Sequence, residues 1–374
     1  MNRFMKRGVL LALLLAFALI VASCSSDSDD TTTTAAAAVD ETTTTAAAVE
    51  ETTTTAGSMS GEGVRVGMAY DIGGRGDKSF NDSAAAGLEK GIADYGIESQ
   101  ELEPTAGGEN REENLRLLAE SGFDLIFAIG FAFDEALANT APLYPDTTFA
   151  IVDSVSDLPN VYSLVFAEHE GSALVGAAAA LKTETDIIGF IGGVNIGLIN
   201  KFQAGYEFGA QQINPDIEIL VQYLTEPPDF SGFNDPAKGK EAALAMFEQG
   251  ADIVYHAAGG SGGGLFEAAK EVTETSGSKV WAIGVDSDQY LTAGEDVQEY
   301  ILTSMLKRVD TSVYGTITNF LSEDNQSGLV VFDLAADGVG YSTSGGFVDD
   351  IAPELDALRA KIISGELVVP DALG

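Results

Sequence analysis

The run Asp71-Ile-Gly-Gly-Arg-Gly-Asp77-Lys-Ser79-Phe80-Asn81 gathers carboxylates, a hydroxyl, an amide and one aromatic ring in a glycine-rich loop. Carboxylates accept N–H and O–H donors, an amide does both, and an aromatic face stacks on a flat ligand, so this set of side chains suits binding of a planar polar molecule. The loop follows an apolar run at 64–69 and precedes a helical stripe, Ala84, Leu88, Ile92 and Tyr95. That places it at the carboxyl end of a strand, where open α/β sheets bind ligands. Phe80 has a second reading, as a hydrophobic staple that anchors the helix.

Other loops present comparable chemistry. Gly130-Phe-Ala-Phe133-Asp134 follows the apolar run 125–129, and Gly192-Gly193 precedes a helix with the stripe Ile199, Phe202, Tyr206, Gly209 and Ile213. Helical spacing alone makes Phe202 a core residue. Ala257-Ala-Gly-Gly-Ser-Gly-Gly-Gly264 could offer backbone N–H groups to a hydroxylated or anionic ligand. It is not a dinucleotide fingerprint, because Leu265 stands where G-x-G-x-x-G, counted from Gly260, needs its last glycine. Asp286 and Asp288 at another strand end fit acid/base catalysis, metal coordination, hydroxyl recognition or a plain capped turn. Lys307 and Arg308 follow the run 301–304, where cations could balance those acids or donate to a ligand.

Signs of catalysis are few. The two histidines are His169 and His256; His169 lies between Glu168 and Glu170, a possible metal cluster that reads more simply as an acid-rich helix start. No G-x-S-x-G, P-loop or H-E-x-x-H spacing occurs, so no cofactor or metal is expected and binding without turnover is the simpler account. The enzymatic rival is a glycosidase pair made of Asp286 and Asp288.

The elements that must position these residues alternate. Apolar runs at 64–69, 125–129, 149–152, 162–166, 187–191, 217–223, 253–257, 280–285 and 301–304 read as strands covered on both faces. Amphipathic stretches at 110–120, 168–182, 199–212, 236–249 and 265–275 read as helices, with Asp235-Pro236 a good helix start. This is an α/β pattern of parallel sheets with right-handed crossovers. About 310 residues after residue 61 suggest two lobes. The first is expected at 62–166 with 288–325 returning to it, the second at 167–287 with 326–374.

Residues 1–24 read as a leader: Arg3, Lys6 and Arg7, then an apolar run, then Val21-Ala22-Ser23-Cys24. The pattern resembles a bacterial lipoprotein signal that leaves Cys24, the single cysteine, as a lipidated N-terminus. Residues 25–61 repeat Thr-Thr-Thr-Thr-Ala-Ala between acids and cannot build a core, which suggests an acidic tether. The formal net charge is −39; without the leader's three basic residues, 16 basic stand against 58 acidic ones, giving −42. Such a chain repels nucleic acid and anionic headgroups, and its acidity suits a saline or acidic cell-surface setting.

Taken together, the loops resemble the basic membrane protein family, lipoprotein substrate-binding components of ABC transporters typified by purine nucleoside receptors. The similarity runs from Val64 to Pro370. It is carried by Asp71-Ile-Gly-Gly with Asp77-Lys-Ser-Phe-Asn81, Phe166-Ala-Glu-His-Glu-Gly171, Ile188-Gly-Phe-Ile-Gly-Gly193 and Phe202-Gln-Ala-Gly-Tyr206. Asp235-Pro-Ala-Lys-Gly239, Ala257-Ala-Gly-Gly260, Ile283-Gly-Val-Asp-Ser-Asp-Gln289, Leu302-Thr-Ser-Met-Leu-Lys-Arg-Val-Asp310, and Lys361-Ile-Ile-Ser-Gly365 with Val369-Pro370 follow in order.

The resemblance implies a type I periplasmic-binding-protein fold, two Rossmann-like lobes joined by hinge crossovers and closing on a nucleoside. It implies a base held between Phe80 and Phe202, with Asn81, Asp134 and Asp71 at the base edge. Asp286 and Lys307, with backbone near Gly259 and Gly260, would hold the ribose. The expected partners are a small-molecule ligand, an ABC permease and the membrane through Cys24; the expected state is a monomer on the extracytoplasmic face. Val194-Asn-Ile-Gly-Leu198 departs from the Met-Asp-x-Pro type turn usual in the family. The alternatives are the same fold with a flavin, a sugar or a signalling molecule, or a nucleoside-hydrolysing enzyme using Asp286 and Asp288.

Overall fold

The computed structural model describes residues 59–322 and 327–374. The expected leader with Cys24 and the tether as far as residue 58 lie outside the described residues. The chain runs β1 (Arg65–Ala69), α1 (Phe80–Tyr95), β2 (Glu98–Leu102), α2 (Arg111–Glu120), β3 (Leu125–Ala128), α3 (Asp134–Thr140), β4 (Thr148–Val152) and β5 (Val161–Phe166). It continues through α4 (Glu168–Lys182), β6 (Ile187–Val194), α5 (Gly197–Ile213), β7 (Glu218–Thr225), α6 (Pro236–Glu248), β8 (Ile253–Ala257) and α7 (Gly262–Ser276). Then come β9 (Trp281–Asp286), α8 (Gln289–Thr292), β10 (Ile301–Lys307), α9 (Val309–Leu321), β11 (Gly328–Phe332), β12 (Val339–Tyr341) and α10 (Ala352–Ile363).

Two six-stranded sheets result, ordered β11-β5-β4-β3-β1-β2 and β12-β10-β9-β8-β6-β7. The first is parallel throughout and the second parallel except for β12, which runs antiparallel to β10. Each is a lobe of the expected α/β class. The central strands are buried residue after residue, as in β3 and β8, because helices cover both faces. Asp235 caps α6 as its sequence suggests, its carboxylate accepting the N–H of Lys238 at 3.0 Å.

The lobe boundaries differ from the expectation. Residues 288–307 stay in the second lobe, because the buried apolar face of β10 pairs in parallel with β9. Only α9, packed on α1, and β11, paired with β5, return to the first lobe. The chain therefore crosses between lobes after Phe166, after Lys307 and after Phe332.

Helices α4 and α5 touch through their backbones. A Cβ added at Gly209 would overlap the carbonyl oxygen of Ala173, and one at Gly205 would overlap that of His169. This close approach fixes α5, which carries Phe202. Gly209→Ala is expected to lower stability by about 1–3 kcal/mol, as overpacking does; an unchanged denaturation midpoint in urea would contradict the packing.

Candidate functional site

The carboxyl ends of the strands face a cavity between the lobes with about 690 Å³ of atom-free space, its open side included. Its first wall is the loop after β1. There Asp77 organises the start of α1: Oδ1 accepts the N–H of Ser79 at 3.0 Å and of Asp82 at 3.1 Å, and Oδ2 accepts the N–H and side-chain amide of Asn81 at 2.8 and 3.0 Å. Gly74 supplies a left-handed turn, φ +58°, where a Cβ would also strike the Glu103 carboxylate. Asp71 lines the cavity, held by Arg111 through Nε at 3.0 Å and through Nη2; burial raises its carboxyl pKa, against the pull of the guanidinium.

Phe80 opens α1. Its ring packs on the core and also lines the cavity. From the other lobe Phe202, almost fully buried, lines the same space. The two rings share one cation: Lys307 Nζ lies 5.1 Å from the Phe80 centroid and 5.6 Å from that of Phe202. Phe166 holds it from a third side at 5.0 Å.

Lys307 ends β10 and is 2 % exposed. Its ammonium donates to Asp153 Oδ2 at 2.7 Å and lies 3.4 Å from Glu168 Oε1. Burial alone would lower its pKa, but Asp153, Glu168 and Asp286 outweigh it and raise the value, so the amine stays protonated. Glu168 itself is pushed up by burial, against Lys307 and Lys201, the latter 3.6 Å from Oε2. Asp286 ends β9 with φ +63°; its Oδ2 accepts from Ser79 Oγ at 2.6 Å. Burial pushes its carboxyl up to about 6, opposed by Lys307 and by the Ser79 hydrogen bond.

Several expected residues come together here: Asp71, Phe80, Asn81, Phe202, Gly259, Asp286 and Lys307 all line the cavity. Asp134 does not. A tight turn at Phe131–Phe133 points Phe131 inward and leaves Asp134 exposed at the start of α3, accepting from Ser154 Oγ at 3.2 Å. Gly260 faces an adjoining groove with Lys78, Asn234 and Gln289 instead. Asp288 is also elsewhere, its Oδ2 accepting from Ser342 and Ser344 at 2.8 and 2.6 Å, so Asp286 and Asp288 do not meet as a pair at the cavity.

The sequence reading missed Asp153, which lines the cavity with φ +67° and leaves Oδ1 buried without a hydrogen-bond partner. The available signal was its position, one residue past an apolar strand, as with Asp71 near the end of β1. It also missed Phe131, Phe230 and Phe233. Phe131 of the first lobe meets the other two edge-on, at 5.7 and 6.4 Å between centroids, which closes aromatic contact across the cleft.

Two parallel α/β lobes around an aromatic and acidic cavity define a two-lobed small-molecule binding protein of the type I periplasmic-binding fold. Residues 64–372 match the family described as Bmp, ABC transporter substrate-binding protein PnrA-like, and the chain belongs to this family. It is 33% identical over 328 residues to the ABC transporter nucleoside-binding protein BmpA of Lactococcus lactis subsp. cremoris, covering 82% of this chain and 89% of that one. An uncharacterized lipoprotein of Pyrococcus furiosus is 33% identical over 321 residues, covering 80% and 78%. The solute-binding protein of an Aeropyrum pernix ABC transporter system has a similar structure, with TM-score 0.71, 30% identity and coverage of 82% and 94%. The protein is thus a substrate-binding component of an ABC transporter, and among its described residues no helix is long and apolar enough to cross a membrane.

Lys307→Met leaves Asp153 without its ion-pair partner, Glu168 with Lys201 alone and Asp286 without its nearby cation, a loss expected to cost about 3–5 kcal/mol at pH 8. Glu168 and Asp286 have raised folded-state pKa values, so protonation relieves the penalty, and the variant should be destabilised less at pH 5. Equal destabilisation in urea melts at the two pH values would contradict this.

Proposed function

We propose that the protein captures a purine nucleoside, or a closely similar uncharged ring bearing a polyol, outside the cytoplasm and delivers it to an ABC permease while a lipid on Cys24 holds it to the membrane. The observation that carries the reading is the pair of phenylalanines from opposite lobes, Phe80 and Phe202, set around one buried ammonium and its carboxylates. In this reading the two rings sandwich the base, Asn81 and Asp71 meet its polar edge, and Asp286, Asp153 and Lys307 hold the sugar hydroxyls beside Gly259. The name of the Lactococcus relative supports the ligand class, and that of the Pyrococcus relative supports the lipid anchor.

The charge balance supports an uncharged ligand. Asp71, paired with Arg111, and Asp77, Asp153 and Asp286 line the cavity, whose one lining cation is Lys307, so its polar atoms are mainly carboxylate acceptors. Hydroxyls and N–H groups satisfy them, whereas a phosphate would meet like charge in a poorly screened space.

Calorimetry of ligand-stripped protein with inosine, guanosine, adenosine and cytidine tests the reading. At least one purine nucleoside should bind with micromolar affinity or better, about −8 kcal/mol, and its 5′-monophosphate at least ~100-fold more weakly. Phe80→Ala and Asp286→Ala should each lose about 30-fold or more while keeping the fold. Absence of heat with all four nucleosides would remove the nucleoside claim.

A further inference from the structure

Behind the cavity, a second set of contacts joins the lobes, and none of its donors belongs to the expected ligand site. Lys78 Nζ donates to the carbonyl of Ala293 at 2.7 Å, while Gln289 Nε2 and Thr292 Oγ1 donate to the carbonyl of Lys78 at 3.1 and 3.3 Å. Ser287 Oγ donates to the carbonyl of Ser79 at 3.0 Å, and Ser79 Oγ to Asp286 Oδ2 at 2.6 Å. We propose that Lys78 and Ser79 form, with residues 285–293, a closure latch distinct from the ligand contacts, and that Ser79 ties this latch to the ligand-holding carboxylate of Asp286. The inference deepens the reading of a cleft that closes on its ligand and rests on it.

Each half of the latch is also held by contacts within its own lobe. On the first lobe, Asp82 Oδ2 accepts the N–H of Lys78 at 2.9 Å and Asp77 Oδ1 that of Ser79 at 3.0 Å. Lys78 is thereby held at φ +55°, a conformation that residues other than glycine seldom adopt and that points to an over-determined position. On the second lobe, buried Gln289 accepts the N–H of Val285 at 2.8 Å through Oε1, which also lies 3.0 Å from His256 Nε2. Rigid partners lose little freedom on meeting, so these bonds add to closure. They form only when the lobes touch, so their loss should show in the dissociation rate more than in the encounter rate.

Ser79 adds a specific link. Asp286 is faced by Ser79 and Asp77 from the loop before α1, by Lys307 from β10 and by Asp153 from the end of β4. The Ser79 hydroxyl favours its ionised form, in which both oxygens accept; without that bond the carboxyl should take up its proton at higher pH.

The test uses the ligand-stripped full chain, Lys78→Ala/Thr292→Val and Ser79→Ala. Small-angle scattering without ligand should give a larger radius of gyration for the double variant than for the wild type. Inosine, as probe, should dissociate about 10-fold faster from it, with association changed less than about threefold. For Ser79→Ala the fall in inosine affinity on acidification should begin at higher pH than in the wild type, which a merely structural role would not produce. Unchanged compactness and an unchanged dissociation rate overturn the latch, and an unchanged pH profile overturns the link to Asp286. Scattering needs no ligand, so if inosine binds neither protein the nucleoside reading fails while the latch is still decided. Should the double variant not fold, Ser287→Ala/Thr292→Val undergoes the same measurements, with the same results for and against.

Discussion

The buried ammonium of Lys307 is the interaction on which the site depends. It ends a strand of one lobe, pairs with Asp153 at the end of a strand of the other, and meets Glu168 where the chain first crosses between them. Burying such groups is costly, and an ion pair in a dry interior is weak evidence for stability. Its value here is positional: one cation fixes two carboxylates and sits against Phe80, Phe166 and Phe202. The aromatic faces and the hydroxyl-binding acids are therefore held to a common reference point contributed by both lobes.

The backbone around this point is held under strain. Lys78, Asp153 and Asp286 all have positive φ, at a cost on the order of 1–3 kcal/mol each. Each is stabilised by side-chain partners from elsewhere: Asp82 for Lys78, Lys307 for Asp153 and Ser79 for Asp286. The strain turns the carboxylates at the ends of β4 and β9 toward the cleft. Affinity in such a site comes from polar groups fixed in advance, which lowers the cost of ordering them on binding.

Much of the architecture was legible because parallel strands buried on both faces leave unbroken apolar runs, and all nine expected runs lie on strands. The edge strands β2, β11 and β12 were not: Glu98 and Glu101 break the apolar pattern of the partly covered β2, β12 has three residues, and β11, Gly328–Phe332, is an apolar run whose signal was passed over. The lobe boundary failed for a related reason, since nothing local in 301–307 says which sheet it will join. At the site, Phe80, Asp286 and Lys307 showed as polar or aromatic residues at strand ends. Asp134 entered only through the family resemblance and lies off the cavity, whereas Asp153 carries the same strand-end signal as Asp71 and depends on a distant lysine to make it a site residue. Phe230 and Phe233 lie in a long loop whose approach to Phe131 only the closed lobes create.

The central claim is that this cavity selects an uncharged ring bearing a polyol by stacking and by acceptor-rich recognition. Mass spectrometry of small molecules released on denaturing the freshly purified protein tests it most directly. The account predicts one dominant species, a purine nucleoside or near relative carrying no phosphate, present at close to one per chain. A phosphorylated nucleotide, or a sugar without a ring system to stack, recovered at that stoichiometry would contradict it.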